Sequence, residues 1–269
     1  VKYVHNDKAK EAMKKAQKNY RDLERAIVWA LVDPRSAIPS VSKLESTYVK
    51  AKNGATANFG NRATNTMFMW GQSTSMAYKG MNKNRRVQFK LADVAVLKEK
   101  MPGLKYVSPR LQLGGYRGAN NVTRNEKTGA FQVNGDFPEF INQQYMDIVK
   151  GRWLNYSDIQ KEMKSAVIGT DVVKSLYDIG EEPIGTYIKL QGVNFKVVGV
   201  FKNPSTQGDS EEEANTIFIP FTTFGKAFNS GDNVGWMAIT ATDGVSMTQL
   251  KPQVLSIMRE QRNVHPNDM

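Results

Sequence analysis

Few residues of this chain have the type and spacing that chemistry demands. Three carboxylates, Asp147, Asp158 and Asp171, lie close enough in sequence to be weighed as a general acid and base. Such a pair works only when both groups converge on one cleft. Element boundaries separate these three and no His or Lys pattern accompanies them, so surface and capping roles account for them. Arg152, in Gly151-Arg152-Trp153-Leu154, is the most suggestive single charge. It could bind an anion or a partner; the reading adopted is that it pairs with a nearby carboxylate such as Asp158 and fixes a turn. His5 and His265 are the only histidines and sit near opposite ends of the chain. That argues against a histidine metal centre or a Ser-His-Asp triad. There is no cysteine, which excludes disulfides, thiol nucleophiles and cysteine metal sites.

Other tempting patterns fail on geometry. The stretch Gly114-Gly115-Tyr116-Arg117-Gly118 lacks the G-x-x-x-x-G-K-[ST] spacing that aims backbone N–H groups at phosphates. Glu211, Glu212 and Glu213 lie in a polar loop, whereas calcium needs six to eight oxygens in fixed positions. The aromatics Tyr116, Trp153 and Trp236 read as core or interface rim rather than ligand stackers. The chain has no Walker motif and cannot hydrolyse ATP itself. No cofactor is expected, and a hydrolase is disfavoured because no nucleophile has a positioned base.

Composition is that of a folded protein, with 40% hydrophobic and 23% charged residues over 269 positions. The net charge of +11 admits an alternative, a soluble protein that binds nucleic acid or another polyanion. The basic residues are spread along the chain, however, and no RRM, KH or helix-turn-helix signature is present. No nucleic-acid partner is therefore expected. No run reaches the roughly 20 apolar residues that span a bilayer; the longest, Ala26 to Val32, is far too short. No signal peptide is visible.

The elements that must position these residues are read from periodicity. A helix from Asn6-Asp7 to about Val32 and a second from about Ser40 to Gly54 are expected first. Thr66 to Trp70 is a strand. Arg86 to Phe89, a helix from Leu91 to Met101, and Tyr106 to Leu113 read as a β-α-β unit. Gly114 to Gly129 is loop or loose hairpin. Ala130 to Asn134 is a strand, with a helix from Pro138 to about Tyr145. Ser165 to Gly169 is a buried strand, and Thr170 or Asp171 caps a helix bearing Val172, Val173, Leu176 and Tyr177. Pro183 and Gly185 end that segment. Tyr187 to Leu190, the Gln191-Gly192 turn and Phe195 to Val200 form a hairpin. Thr216 to Pro220 is a strand and Phe221 to Phe228 a helix. Trp236 to Thr240, a helix from Met247 to Arg262 with Pro252 in its first turns, and a strand from Asn263 to Pro266 complete a second β-α-β unit.

These residues carry a resemblance. Gly151-Arg152-Trp153-Leu154, then Ser165-Ala166-Val167-Ile168-Gly169, then Pro183-Ile184-Gly185 and a hairpin through Gly192 ending Val197-Val198-Gly199-Val200 resemble the periplasmic core domain of MacB-type ABC transporter permeases. That family is also related to FtsX and to the LolC/LolE lipoprotein exporters. Glu182 stands where the family usually has Asp. Val133, Gly135, Pro138 and Phe140 match a further family element. Asp93, Leu97, Pro102, Gly103, Val107 and Pro109 fit another, with Leu104 in place of valine. Residues from Phe59 to Met81 are similar to the segment after the first membrane helix in Bacteroidetes-type members.

The resemblance implies an α+β fold. A discontinuous, Porter-like subdomain of β-α-β pairs would comprise residues 59–129 and 232–269, with a smaller Sabre-like α+β subdomain at 130–231 and an N-terminal helical segment at 1–58. Gly135, Pro138, Gly151, Arg152, Gly169, Pro183, Gly185, Gly192 and Gly199 are its motif positions, expected to be structural. The implied protein is non-enzymatic and lies in the periplasm, anchored to the inner membrane by one span before this region and three after it. Its implied partners are a cognate ABC ATPase, a periplasmic adaptor or lipoprotein chaperone, and a second permease in a homo- or heterodimer.

Overall fold

The computed structural model describes residues 65–115, 118–203 and 214–268. The helices expected within residues 1–58, His5, Tyr116 and Glu211 to Glu213 lie outside the described residues. The strands are β1 (Thr66–Trp70), β2 (Phe89–Lys90), β3 (Leu104–Leu113), β4 (Val122–Arg124), β5 (Lys127–Gly129), β6 (Gln132–Asp136) and β7 (Asp147–Gly151). They continue with β8 (Ser165–Gly169), β9 (Tyr187–Leu190), β10 (Val193–Lys202), β11 (Thr216–Pro220), β12 (Asn233–Val234) and β13 (Trp236–Ala241). The helices are α1 (Leu91–Lys100), α2 (Tyr156–Gln160), α3 (Thr170–Leu176), α4 (Phe221–Ala227) and α5 (Met247–Gln261), with a 3-10 helix at Pro138–Asn142.

One mixed sheet runs through these residues in the order β1-β13-β3-β6-β11-β8-β10-β9-β4-β5, with β7 also on β10. The pairs β6–β11 and β8–β10 are parallel. The fold is α+β. Both faces of the central strands are buried, which is why Ser165–Gly169 and Thr216–Pro220 read as unbroken apolar runs. Period-two alternation divides their side chains between two cores. Ile168, Ile217, Ile219, Met237 and Ile239 face a core shared with Val94 and Leu97 of α1, Val172 and Leu176 of α3, Phe221 and Phe224 of α4, and Val254 and Met258 of α5. Val167, Phe218 and Ala238 face the other, with Phe140, Met146, Leu154 and Phe201.

Strand β3 belongs to both halves of the sheet. Tyr106 to Arg110 pair with β13, and Leu111 to Leu113 pair with β6. Pro109, which cannot donate to a ladder, lies just before the β6 pairing begins.

Several expectations are corrected. The strand expected from Arg86 is only Phe89–Lys90 and pairs with β12, not β3. The residues before it are claimed by a hairpin, in which Thr74 N–H donates to the Arg85 carbonyl (2.9 Å) and Val87 N–H to the Gln72 carbonyl (2.9 Å). The strand expected at Asn263 to Pro266 is a turn, because Val264 N–H donates back to the Arg259 carbonyl (2.8 Å). In the first β-α-β unit β2 and β3 therefore lie in different sheets, the second lacks its closing strand, and β3 and β13 are antiparallel neighbours. Gly169, not Thr170 or Asp171, is the N-cap of α3, and no side chain caps it; Asp171 bonds Lys174 Nζ instead (2.7 Å). The segment after Pro138 is one 3-10 stretch rather than a helix to Tyr145. Pro252 lies deeper in α5 than its first turn, so the Thr248 carbonyl loses its helical partner.

Candidate functional site

Two knots of side chains hold this sheet. The first is built on a close crossing of two backbones. Gly151 ends β7 with φ of +69°, where a Cβ would lie 2.2 Å from the Val198 carbonyl oxygen. At Gly199 a Cβ would lie 2.1 Å from the Arg152 carbonyl oxygen. Two glycines are needed because each faces the backbone of the segment it crosses, which leaves Arg152 N–H free to donate to the Val198 carbonyl (2.9 Å).

That crossing aims the Arg152 guanidinium at Asp158. Nη1 donates to Oδ2 (2.6 Å) and Nη2 to Oδ1 (2.9 Å), a two-pronged bond that suits a planar fork. Asp158 is fully buried and also accepts from Asn155 N–H (2.9 Å) and Ser165 Oγ (2.9 Å). Asn155 Oδ1 in turn accepts from Asp158 N–H (3.0 Å), a reciprocal cap on α2. Burial alone would raise the Asp158 carboxyl. Arg152, Asn155 and Ser165 overcome burial and hold it below its ordinary value. The carboxylate that Arg152 pairs with is Asp158, the partner read from the sequence.

The second knot has no counterpart among the sequence expectations. Arg110, at the handover point of β3, is 4% exposed and Asp136, at the end of β6, is 0% exposed. Arg110 Nε and Nη2 donate to the two Asp136 oxygens at 2.8 and 2.6 Å. The guanidinium is also stacked among aromatic rings, 3.8 Å from the Phe140 centroid, 4.7 Å from Trp236 and 5.4 Å from Phe218. Cation–π attraction supplies what water would have given this buried charge. Burial pushes the Asp136 carboxyl above its ordinary value, and Arg110 pulls it only partly back. Trp153 extends the cage, lying 5.0 Å from Phe218 and donating its indole N–H to the Pro138 carbonyl (3.0 Å). The knot therefore joins residues of β3, β6, β11 and β13 to the 3-10 helix.

The motif positions fall into these surroundings unequally. Gly151, Arg152 and Gly199 meet in the first knot, and Ile184 of the Pro183–Gly185 turn lies against Gly151. Pro183 accepts from Thr186 N–H (3.2 Å), and Gly185 N–H donates to Val197 (2.8 Å). Pro138 opens the 3-10 helix beside the second knot. At Gly135 a Cβ would lie 2.6 Å from Phe224 Cβ, so the glycine lets α4 sit on β6. Gly169 and Gly192 stand apart from both knots: a Cβ on Gly169 would strike the Ala214 carbonyl at 2.1 Å, and Gly192 follows Gln191 in the β9–β10 turn.

The three carboxylates weighed as acid and base do not converge on one another. Asp147 pairs with Lys202 (3.7 Å) and Asp171 with Lys174 (2.7 Å), so the three carboxylates have separate partners. Tyr156 donates to Glu139 Oε2 (2.9 Å); burial first, then that carboxylate, push its phenol up to about 12. Among the described residues no group of three His, Asp or Glu side chains could hold a metal ion. No helix among them is long and apolar enough to cross a membrane.

Residues 33–257 match the family model described as the MacB-like periplasmic core domain. The macrolide export ATP-binding/permease protein MacB of Bdellovibrio bacteriovorus is 27% identical over 180 residues, covering 66% of this chain and 26% of that protein. The pyoverdine export ATP-binding/permease protein PvdT of Pseudomonas syringae pv. syringae is 27% identical over 173 residues, covering 63% of this chain and 25% of that protein. The chain thus spans about a quarter of the length of these relatives. In fold it resembles the periplasmic region of MacB from Actinobacillus actinomycetemcomitans, with a TM-score of 0.62, 16% identity, and coverage of 76% of this chain and 87% of that one. It also resembles the extracellular domain of the noncanonic ABC-type transporter YknZ from Gram-positive bacteria, with a TM-score of 0.59, 14% identity, and coverage of 76% and 100%.

Proposed function

This chain belongs to the MacB-like periplasmic core domain family, and from that premise we propose that it is a mechanical coupler. It is the extracytoplasmic part of an ABC permease, and it passes the strokes of a cytoplasmic ATPase outward from the membrane segments. Its partners on this reading are the cognate ATPase, an adaptor or lipoprotein chaperone outside the membrane, and a second permease subunit. The subdomain reading goes with it: a Porter-like part from residues 59–129 and 232–269 flanks a Sabre-like part at 130–231. The pairing of β4 with β9 favours drawing the first crossing at the loop after Leu113 rather than at Gly129.

The observation that carries the reading is β3. A coupler must transmit displacement without absorbing it. A strand shared by both halves of the sheet, fixed at its handover by the buried Arg110–Asp136 pair, is stiff where two separate sheets would slip.

The test uses the whole transporter with Asp136→Asn. Loss of the carboxylate's charge loosens the handover without touching the ATPase. ATP hydrolysis is expected to continue while export falls at least tenfold. Export at the native rate in a folded variant would sink the reading. Equal loss of export and hydrolysis would sink it as well, since a coupler's failure must separate the two.

A further inference from the structure

Residues Gly71 to Gln88 form a projecting hairpin that the coupling role leaves unexplained. Its rails are fixed by Thr74 N–H to Arg85 (2.9 Å), Asn84 N–H to Thr74 (2.6 Å), and paired bonds between Tyr78 and Met81 (3.0 and 2.9 Å). Lys79 (φ 47°) and Gly80 (φ 77°) form its tip, the two-residue turn with both φ positive that suits a twisted hairpin. The stretch carries Lys79, Lys83, Arg85 and Arg86 and has no acidic residue. Lys79, Lys83 and Arg86 are exposed. Beside them Met76 and Met81 stand 43% and 41% exposed.

We propose that this hairpin docks on an anionic lipid surface, with Met76 and Met81 entering the headgroup region and Lys79 and Lys83 lying among the phosphates. Flexible apolar side chains next to long cationic ones are the chemistry of an interfacial anchor, because a lysine stem lies along the apolar layer while its ammonium stays at phosphate level. Charge complementarity selects the anionic surface over a neutral one. The hairpin is also held rigidly. Asp268 accepts from Ser75 N–H (3.0 Å), Ser75 Oγ (2.6 Å) and Met76 N–H (3.3 Å), and His265 packs edge-on to Tyr78 at 5.3 Å. Arg85 Nη2 donates to the Arg262 and Asn263 carbonyls (2.7 and 3.0 Å). The tip is thus presented without the ordering cost that a loose loop would meet on binding. Nearness to a bilayer rests on the permease reading; the chemistry of the tip does not.

The test is co-sedimentation of the 269-residue chain with vesicles of one part phosphatidylglycerol to two parts phosphatidylcholine, against phosphatidylcholine alone. Binding is expected only to the anionic vesicles and should weaken steeply with salt. Lys79→Ala/Lys83→Ala should weaken it roughly thirtyfold, the loss expected for two cations at an anionic surface. The equal charge change Lys161→Ala/Lys164→Ala, away from the hairpin, should leave it within about twofold. In a second measurement, Met81→Trp fluorescence should be quenched by brominated phosphatidylglycerol. Equal loss from the two lysine pairs would overturn the proposal, since binding would then track net charge. So would a Met81→Trp signal that vesicles leave unquenched. Neither result depends on export, so the docking proposal and the coupler reading fail separately.

Discussion

At the scale of single residues, the Arg110–Asp136 and Arg152–Asp158 pairs differ in exposure. Arg110→Ala leaves Asp136 buried and without its counter-ion, and such a break costs about 3–5 kcal/mol. The same principle makes Arg110→Met/Asp136→Leu regain most of that stability, since neither charge remains to be desolvated. Urea unfolding of the two single variants and the double variant measures this, and strictly additive losses would contradict the pairing. Arg152 is half-exposed while Asp158 is buried, so Arg152→Ala should cost less, about 1–3 kcal/mol. Arg152→Lys should recover only part, because an ammonium cannot make the two-pronged bond. Gly199→Ala should cost more than an ordinary surface substitution, because its Cβ would meet a carbonyl 2.1 Å away that belongs to the crossing backbone. A melting temperature equal to wild type would mean that the crossing is slack.

At the scale of elements, the last turn of the chain is a latch, and the Asp268 carboxylate is its bolt. Asp268→Asn keeps the shape but weakens the bonds from Ser75 and Met76 to an anion. Amide exchange at those two positions should quicken at least tenfold while α5 keeps its protection. Unchanged exchange would show that the hairpin holds itself. Element identity was largely legible in the sequence wherever both faces of a strand are buried, as in Ser165–Gly169 and Thr216–Pro220, because an apolar run closed by glycine or proline has few other readings. It failed where a segment's backbone partners lay far away in sequence. Residues 86–88 had the composition of a strand, but Gln72 and Thr74 had already claimed their neighbours' hydrogen bonds. The Arg152–Asp158 pair was readable because six residues of local chain separate its partners. Arg110 and Asp136 are 26 residues apart, and the only hint was a charged side chain within the otherwise uncharged run from Tyr106 to Leu113.

At the scale of the whole molecule, acid should be the condition that loosens the domain. Asp158, Asp178, Glu181, Glu182, Asp232 and Asp268 are all held below their ordinary values in the folded state. A carboxyl held low stabilises the fold above its unfolded pKa, and that stability drains as pH falls through the folded value. Asp136 has the opposite sign, so protonation there offsets part of the loss. The melting temperature should fall steadily below the ordinary aspartate value of 3.8. A maximum near pH 3 would reverse the assigned signs. The shared strand has a further consequence, for the order in which the molecule can be made. Both β1 and β3 need β13 beside them, yet β13 is synthesised long after either. At about 5–20 residues per second, β1 and most of β3 wait on the order of ten seconds for their common neighbour. Among strands β6 to β11 the waits are shorter, the longest being that of β6 for β11, whose Gln132 and Thr216 are 84 residues apart. The middle of the chain can therefore fold first as it emerges, while the apolar Thr66–Trp70 strand stays open to wrong pairings until β13 arrives. For this protein the critical helper is one that shields an early strand, and the productive place to slow or pause synthesis lies after β13 rather than before it.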